Sequence, residues 1–130
     1  MKVTRFDPSA SLIIVRARVY GPRRPLVVRL ALDTGSDQTL IVPEILDELR
    51  YSPRHGEAIT VIRSAIGREP GYLLRVSKFV SLGHEVRDFR VHAHDLPEGI
   101  GIEGLLGLSF LRLFNYEIRS GEGRIQVTRL

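Results

Sequence analysis

Short apolar runs separated by turn residues recur along the whole chain, and this pattern limits the fold more than any other feature. Residues 11–20 and 26–32 are rich in β-branched and aliphatic side chains, and the intervening residues 21–25 include glycine and proline, which favour a turn. Residues 58–79 alternate around a glycine-containing centre, as a long hairpin does. Further strands are predicted over residues 79–82, 86–94, 99–107, 116–118 and 124–127. The pattern is typical of a mostly β domain that closes into a barrel.

Two short helices are expected to interrupt the strands. Residues 43–49 open with a proline, which suits the first helical position, and carry apolar residues at helical spacing. Residues 108–114 form a second short apolar segment that follows a glycine and is also predicted to be helical.

Size and composition favour one globular domain. The chain has 130 residues, of which 43% are hydrophobic and 26% charged, and this length is enough for one ordinary core but short of two. No internal repeat, linker or low-complexity tract divides it. We therefore expect a single domain over residues 1–130.

Several classes of protein are disfavoured by what the sequence lacks. There is no cysteine, which excludes disulfides, thiolate zinc sites and cysteine nucleophiles. No segment approaches the roughly 18 consecutive apolar residues that a membrane span needs, and the apolar run at residues 12–15 is too short for the core of a signal peptide. We expect a cytoplasmic protein without a membrane partner.

The basic residues are mostly arginines spread along the chain. They give a net charge of +4, and Glu and Asp residues are interleaved with them, which is typical of a solvated surface. No nucleic-acid partner is expected on this pattern. A basic nucleic-acid binder remains an alternative, and steeply salt-dependent binding to DNA or RNA would reveal it.

The segment Asp33-Thr34-Gly35-Ser36 follows the predicted strand at residues 26–32 directly. An Asp-Thr-Gly tripeptide alone is weak evidence of chemistry, because ordinary residue frequencies produce it by chance in roughly a few per cent of chains of this size. Its context adds weight. A glycine-tipped hairpin comes next, and an apolar-apolar-Gly element, residues 105–107, then leads into the second predicted helix.

This ordered set resembles the retroviral-type aspartic proteases and their cellular and bacterial relatives, the retropepsin-like family, and the likeness covers nearly the whole chain. The resemblance implies a closed acid-protease barrel with two short helices and a flap hairpin, and no metal or cofactor. It also implies hydrolysis of peptide bonds by a water held between two carboxylates. Two carboxylates about 3 Å apart share one proton and titrate as a pair.

The sequence supplies only one carboxylate in this setting. None of the other aspartates is followed by Thr-Gly or Ser-Gly: Asp7, Asp37, Asp47, Asp88 and Asp95. An active enzyme therefore requires a second copy of the chain related by a two-fold axis, and a homodimer that acts on a polypeptide substrate is expected.

The resemblance assigns roles to the residues of the motif. Asp33 is the expected catalytic residue. Thr34 is expected to join the two active-site loops across the dimer axis. Gly35 is expected to contact substrate backbone, and the Ser36 hydroxyl to donate to the outer oxygen of Asp33. Asp37 matches a substrate-binding position, although the arginine that pairs with it in the retroviral enzymes is replaced here by Leu108.

The remaining roles concern the flap, the base of the site and the dimer. The hairpin tip at Ala65, Ile66 and Gly67 is the expected flap that closes over a bound peptide. The element Leu105, Leu106 and Gly107 is expected to pack beneath Asp33. Residues 124–130 are expected to contribute a strand to the dimer interface.

Less specific interpretations compete with these. Asp33 alone is compatible with an aspartate that caps a turn, and the same fold can serve as a catalytically inactive dimerisation or peptide-binding module. His92 and His94, beside Asp95, have a spacing like that of zinc ligands, but surface histidines are the expected account because no further His or carboxylate is spaced to complete the site. No serine lies in a Gly-x-Ser-x-Gly setting, which disfavours a serine hydrolase.

Overall fold

The computed structural model describes residues 1–52, 58–64, 67–97 and 99–130, with backbone alone for residues 58–64 and 67–70. Within these ranges there are ten strands: β1 (Lys2–Arg5), β2 (Ile14–Tyr20), β3 (Pro25–Leu32), β4 (Leu40–Ile41), β5 (Ala58–Ser64), β6 (Gly67–Ser81), β7 (His84–Ala93), β8 (Gly104–Leu106), β9 (Phe114–Arg119) and β10 (Arg124–Arg129). The same ranges contain helices α1 (Pro43–Glu48) and α2 (Leu108–Leu111), and a 3-10 turn at Ser120–Glu122.

Six of the strands close into a barrel. They are joined in the order β2-β3-β8-β4-β7-β6, and β6 returns to β2 through pairs that run from Ala17↔Ser81 to Tyr20↔Lys78. Strand β5 extends outward from β6 as the other arm of a long hairpin. The mostly β, closed-barrel architecture expected from the sequence is confirmed.

The core of the barrel follows the alternation of the strands. In β2 the buried side chains are Val15, Ala17 and Val19, and the intervening arginines face solvent. Aromatic rings fill the centre, where Phe79 and Phe110 meet edge to face with centroids 5.4 Å apart. Each large apolar side chain that is fully buried contributes about 1.5–3 kcal/mol to stability.

The helices lie close to their predicted positions. Helix α1 begins at Pro43 as expected and ends one residue early, at Glu48. Helix α2 is shorter than predicted, because the Phe114 side chain is buried in the core and starts strand β9. The apolar spacing that suggested a longer helix comes from packing at the helix-strand junction.

The C-terminal strand is paired with other strands of the same chain. Strands β1, β10 and β9 form a separate three-stranded antiparallel sheet with β10 in the centre. The stretch from Arg124 to Val127 is paired with β1 on one side and with β9 on the other. Between Arg124 and Val127 it has no open backbone edge to offer a second copy, so strand pairing across a dimer is not expected there. The prediction that residues 124–130 lie at the dimer interface stays a prediction.

The predicted flap hairpin is present as far as the structure describes it. Strands β5 and β6 pair in register from Ala58↔Leu73 to Ser64↔Gly67. Two of the expected tip residues, Ala65 and Ile66, lie outside the described residues.

Candidate active site

Asp33 lies at the end of β3, where two barrel strands hold the backbone in place. The Leu32 amide donates to the Ile13 carbonyl at 2.8 Å, and the Asp33 amide donates to the Leu106 carbonyl at 2.9 Å. The second bond continues the parallel pairing of β3 with β8, in which Leu32 lies opposite Leu106. The apolar-apolar-Gly element is therefore adjacent to the candidate catalytic residue. Its pairing with β3 fixes the position of the Asp33 backbone.

A tight turn then orients the Asp33 carboxylate. The Gly35 amide donates to Asp33 Oδ1 at 2.9 Å, and the Ser36 amide donates to the Asp33 carbonyl at 3.3 Å. A Cβ atom added at Gly35 would lie 3.2 Å from Asp33 Oδ1, so a larger residue would crowd this contact. Among the described residues, no donor is bonded to Asp33 Oδ2. The carboxylate is anchored through one oxygen and offers the other outward.

Thr34 and Gly35 are exposed, whereas Asp33 is partly exposed. The tip of the loop therefore faces solvent in a single chain. This position is compatible with contacts to a second copy or to a substrate, which are the roles that the sequence assigns to these two residues.

Ser36 does not make the contact expected of it. Its hydroxyl donates to the Gln38 carbonyl at 2.8 Å, and the residue is buried. The expectation that this hydroxyl donates to Asp33 is wrong for the single chain, because the side chain points into the loop and satisfies a carbonyl there. Ser36 thus stabilises the shape of the loop from within.

Gly107 packs directly against the other side of this loop. A Cβ atom at Gly107 would lie 2.0 Å from the Gln38 carbonyl oxygen and 2.8 Å from that of Ser36. The backbone that follows binds the same loop, since the Leu108 amide donates to the Ser36 carbonyl at 2.8 Å and the Ser109 amide to the Asp37 carbonyl at 3.0 Å. Only glycine fits at residue 107.

Thr39 is a residue that the sequence reading missed. It is fully buried, and its Oγ1 lies 2.9 Å from Ser109 Oγ and accepts a hydrogen bond from the Gly107 amide at 3.3 Å. A buried hydroxyl with these partners links the active-site loop to the start of α2. The available signal was its position six residues after Asp33, at the end of the same segment.

The histidines of β7 are only partly as expected. His92 is 2% exposed, which contradicts the prediction of a surface histidine. Its ring lies against β6, the second strand of the flap hairpin. A Cβ atom added at Gly71 in that strand would be only 2.8 Å from His92 Nε2. Burial lowers the pKa of His92, the nearby His94 lowers it further, and the carboxylate of Asp37 opposes both effects.

Asp37 is exposed at the outer end of the same loop. The position next to Gly107, where the resemblance expects an arginine, is occupied by the apolar Leu108. In the described part of the chain, no three His, Asp or Glu side chains converge as metal ligands.

Comparison with known proteins identifies the family. Residues 15–110 match the family model described as aspartyl protease, and this stretch contains the Asp33 loop, the flap hairpin and Gly107. The chain belongs to the aspartyl protease family. Its fold and its family agree with the resemblance drawn from the motif.

Two solved structures are similar to this aspartyl protease over most of their length. A retropepsin-like aspartic protease from Rickettsia conorii is 17% identical, with a TM-score of 0.67, and the match covers 97% of this chain and 96% of that one. The EIAV protease, solved in complex with the inhibitor HBY-793, is 19% identical, with a TM-score of 0.59 and coverage of 80% and 88%. At these identities the likeness shows the retropepsin fold. No curated protein matches the sequence.

None of the helices in the described ranges is both long enough and apolar enough to cross a lipid bilayer.

Proposed function

We propose that this chain is an aspartic endopeptidase that acts as a homodimer, with one Asp33 carboxylate from each copy. The observation that carries the proposal is the geometry of Asp33. It follows a barrel strand, one of its oxygens is held by the Gly35 amide at 2.9 Å, and the loop that presents it is exposed. Membership of the aspartyl protease family supports peptide-bond hydrolysis as the class of reaction.

The proposed chemistry requires two carboxylates. One removes a proton from the bound water as it attacks the carbonyl carbon of the peptide bond, and the other donates a hydrogen bond or a proton to the carbonyl oxygen. The pair therefore works when it carries a single proton, because two adjacent carboxylates do not both ionise readily. Since the chain has one Asp-Thr-Gly segment, the second carboxylate comes from a second copy.

The neighbours of Asp33 have distinct parts in this proposal. Thr34, at the exposed tip, contacts the matching loop of the second copy. Gly35 orients the Asp33 carboxylate through its amide and leaves room for substrate backbone. Ser36 keeps the loop in shape through its bond to the Gln38 carbonyl rather than through Asp33.

The substrate is an unfolded or extended polypeptide that lies as a strand between the Asp33 loops and the flap hairpins. Backbone contacts come from Gly35 and Asp37 on one side and from Ala65, Ile66 and Gly67 on the other. Recognition of an extended strand uses main-chain hydrogen bonds for affinity and pockets at alternate side chains for selectivity. A cytoplasmic location is part of the same proposal, and cell fractionation tests it.

Asp33→Asn is the direct test of the catalytic assignment. The substitution keeps the size of the side chain and an oxygen for the Gly35 amide, but it removes the group that shares a proton. We expect cleavage of an unfolded protein substrate to fall by at least about a thousandfold between pH 4 and 7, because loss of the general base removes most of the catalysis. Thermal unfolding should be nearly unchanged.

Asp95→Asn is the matched control, because it makes the same chemical change at an exposed aspartate outside the Asp33 loop. It should cleave as the unmodified protein does. Equal cleavage by the Asp33→Asn variant would reject Asp33 as the catalyst. A folded, dimeric protein that never cleaves any substrate would instead favour the inactive dimerisation or peptide-binding module.

A further inference from the structure

The solvent-facing side of the β2-β3 hairpin carries one of the directly opposed pairs of arginines in this protein. Arg16 and Arg29 lie directly opposite each other in the antiparallel register. The amide and carbonyl of Arg29 both point away from β2, since they bond to Glu103, and this makes Arg16↔Arg29 a non-hydrogen-bonded pair. Side chains approach most closely at such pairs, where like charges repel and destabilise the sheet.

Elsewhere in the sheet a similar pair is relieved by an acid. Lys78 and Arg87 are also directly opposite, but both contact Glu85, at 3.5 and 3.4 Å. Within the described ranges, no carboxylate lies within 4 Å of the guanidinium groups of Arg16 or Arg29. The Glu103 carboxylate accepts a hydrogen bond from the Arg29 amide at 2.9 Å instead, so the guanidinium groups of this pair are left without a direct ion pair among the described residues.

The two arginines line a groove of about 870 Å³ between the hairpin and the N-terminal segment. Arg5 and Arg18 line it as well, and all four arginines are exposed. The carboxylate in the groove, Asp7, already accepts hydrogen bonds from the Ser9 amide and hydroxyl at 2.9 and 2.7 Å. With four arginines against one carboxylate in its lining, the groove carries a net positive charge, although the charges of the whole chain are well mixed.

The walls between the arginines are apolar. Leu12 is 42% exposed and Val27 is 56% exposed, and both line the groove together with Ile14. Phe6 is the one aromatic residue in the lining, and it is only partly exposed. A binding site for single-stranded nucleic acid normally offers several aromatic faces for base stacking. Alternating arginines and aliphatic side chains suit a polypeptide that alternates acidic and apolar residues.

The backbone beside the groove also suits a polypeptide. Strand β3 pairs with β8 only from Leu30↔Gly104 onward, so in the described part of the chain its outer edge has no partner strand before Arg29. Residues two apart in a strand point their backbone groups to the same edge. The amide and carbonyl of Val27, two residues before Arg29, therefore point to this outer edge as those of Arg29 do. An extended peptide can add there as a further strand, with its side chains facing the arginines.

We infer that this groove, lined by Arg5, Arg16, Arg18 and Arg29, is a docking site for an extended acidic polypeptide segment, separate from the Asp33 site. Binding to the groove does not depend on the proposed function. The consequence of this binding does depend on the proposed function. If the chain is an endopeptidase, the groove favours substrates that carry an acidic segment at a distance from the cleaved bond.

The binding test uses a fluorescent decapeptide of alternating Glu and Leu and the Asp33→Asn protein, so that the peptide is not cleaved. Fluorescence anisotropy should show saturable binding that weakens on the order of tenfold when Arg16→Glu and Arg18→Glu are added, because two close charge pairs are lost. A peptide with Gln in place of Glu should bind the protein with intact groove arginines at least as weakly as the acidic peptide binds the Arg16→Glu, Arg18→Glu protein.

The matched control adds Arg23→Glu and Arg112→Glu, which make the same change of charge at two exposed arginines outside the groove. It should retain the affinity for the acidic peptide. Equal weakening by the groove and control variants would show that only net charge matters, and would overturn the inference. If charge reversal prevents folding, as judged by circular dichroism, Arg16→Gln and Arg18→Gln replace it with the same expectations.

A labelled single-stranded oligonucleotide distinguishes the other class of anionic partner. The peptide assignment would be overturned if the oligonucleotide bound more tightly than the peptide and if this binding were lost in the Arg16→Glu, Arg18→Glu protein.

With the Asp33 carboxylate restored, the groove variant should raise KM for an acidic protein substrate and leave cleavage of a neutral peptide unchanged. Failure of the proposed function appears as cleavage that survives Asp33→Asn, whereas failure of the docking site appears as peptide binding that is indifferent to Arg16 and Arg18. The two failures are thus distinguishable.

Discussion

At the scale of single residues, the Asp33 loop depends on close contacts that allow no extra atoms. Gly35 and Gly107 are the two places where this matters most, since one touches the carboxylate and the other touches the backbone beneath it. The hydroxyls of Ser36 and Thr39 then satisfy polar groups that the tight packing would otherwise leave without a partner. The candidate catalytic geometry is therefore a consequence of backbone packing as much as of the motif itself.

Gly107→Ala tests this packing. The added methyl would lie 2.0 Å from the Gln38 carbonyl oxygen, where backbone on both sides leaves it no room. We expect a loss of at least about 3 kcal/mol in the free energy of unfolding, at or above the upper end for overpacked cores, together with a strong loss of activity. Urea denaturation measures the first effect.

Gly121→Ala is the control for this experiment, because nothing lies within 4 Å of a Cβ atom at Gly121. Its free energy of unfolding should stay within about 0.5 kcal/mol of the unmodified value, as for most surface changes. Similar stability of the two variants would contradict the account of the loop.

His92 gives the protein a predictable response to pH. Its pKa is lowered in the folded state, chiefly by burial, from an ordinary value of 6.5. Well above pH 6.5 the ring is neutral in both states and contributes no pH dependence. As the pH falls through that value, beginning about one unit above it, the unfolded chain takes up a proton that the folded chain resists, so stability declines.

His92→Gln should therefore reduce the loss of stability between pH 7.5 and 5.5, as measured by urea denaturation at each pH. His84 also has a lowered pKa, caused first by burial and then by Arg129, Lys2 and the N-terminus. Some pH dependence should consequently remain in the variant. If the variant and the unmodified protein lose the same stability between pH 7.5 and 5.5, His92 does not resist protonation in the folded state.

The sequence indicated the catalytic candidate but not the inner contacts of its loop. Asp33 was recognisable because the motif and its order along the chain are local properties. The direction of the Ser36 hydroxyl was not, because it depends on which carbonyl the folded loop leaves unsatisfied. His92 escaped prediction because β7 is buried at three consecutive residues, from Val91 to Ala93, where the alternation of a strand breaks down.

At the scale of elements, most strands, both helices and the local hairpins could be predicted, whereas the pairing of strands far apart in the sequence could not. Alternation and turn residues locate a strand along the chain, and the β2-β3 hairpin follows from a short turn between two such runs. The order β1-β10-β9 joins the two ends of the chain, and no local signal specifies it. The pairing of β10 on both sides from Arg124 to Val127 could not be predicted for this reason.

Hydrogen exchange tests the position of β10. The amides from Arg124 to Val127 should exchange more slowly than those of β1 and β9, because β10 is paired on both sides within one chain. The protection should be the same at protein concentrations that favour monomer and dimer. Protection of these amides that appears only in the dimer would contradict the internal pairing and restore β10 as an interface strand.

At the scale of the whole molecule, a barrel that closes within one chain carries one half of the proposed active site. The fold closes within one chain through the β2-β6 pairing, and neighbours under 20% identical share it. The candidate site, by contrast, holds one Asp-Thr-Gly carboxylate where the chemistry needs two. The fold is therefore complete in one chain, whereas the proposed activity requires a second copy.

The central claim, that two Asp33 carboxylates from two copies act as one unit, is tested most directly by mixing. Unmodified protein and the Asp33→Asn variant are combined in equal amounts and allowed to exchange subunits, and the cleavage rate is compared with that of the unmodified protein at the same total concentration. If mixed dimers are inactive, about one quarter of the activity remains, since only dimers with two intact aspartates cleave. Retention of about half would show that each chain works independently and would contradict the account.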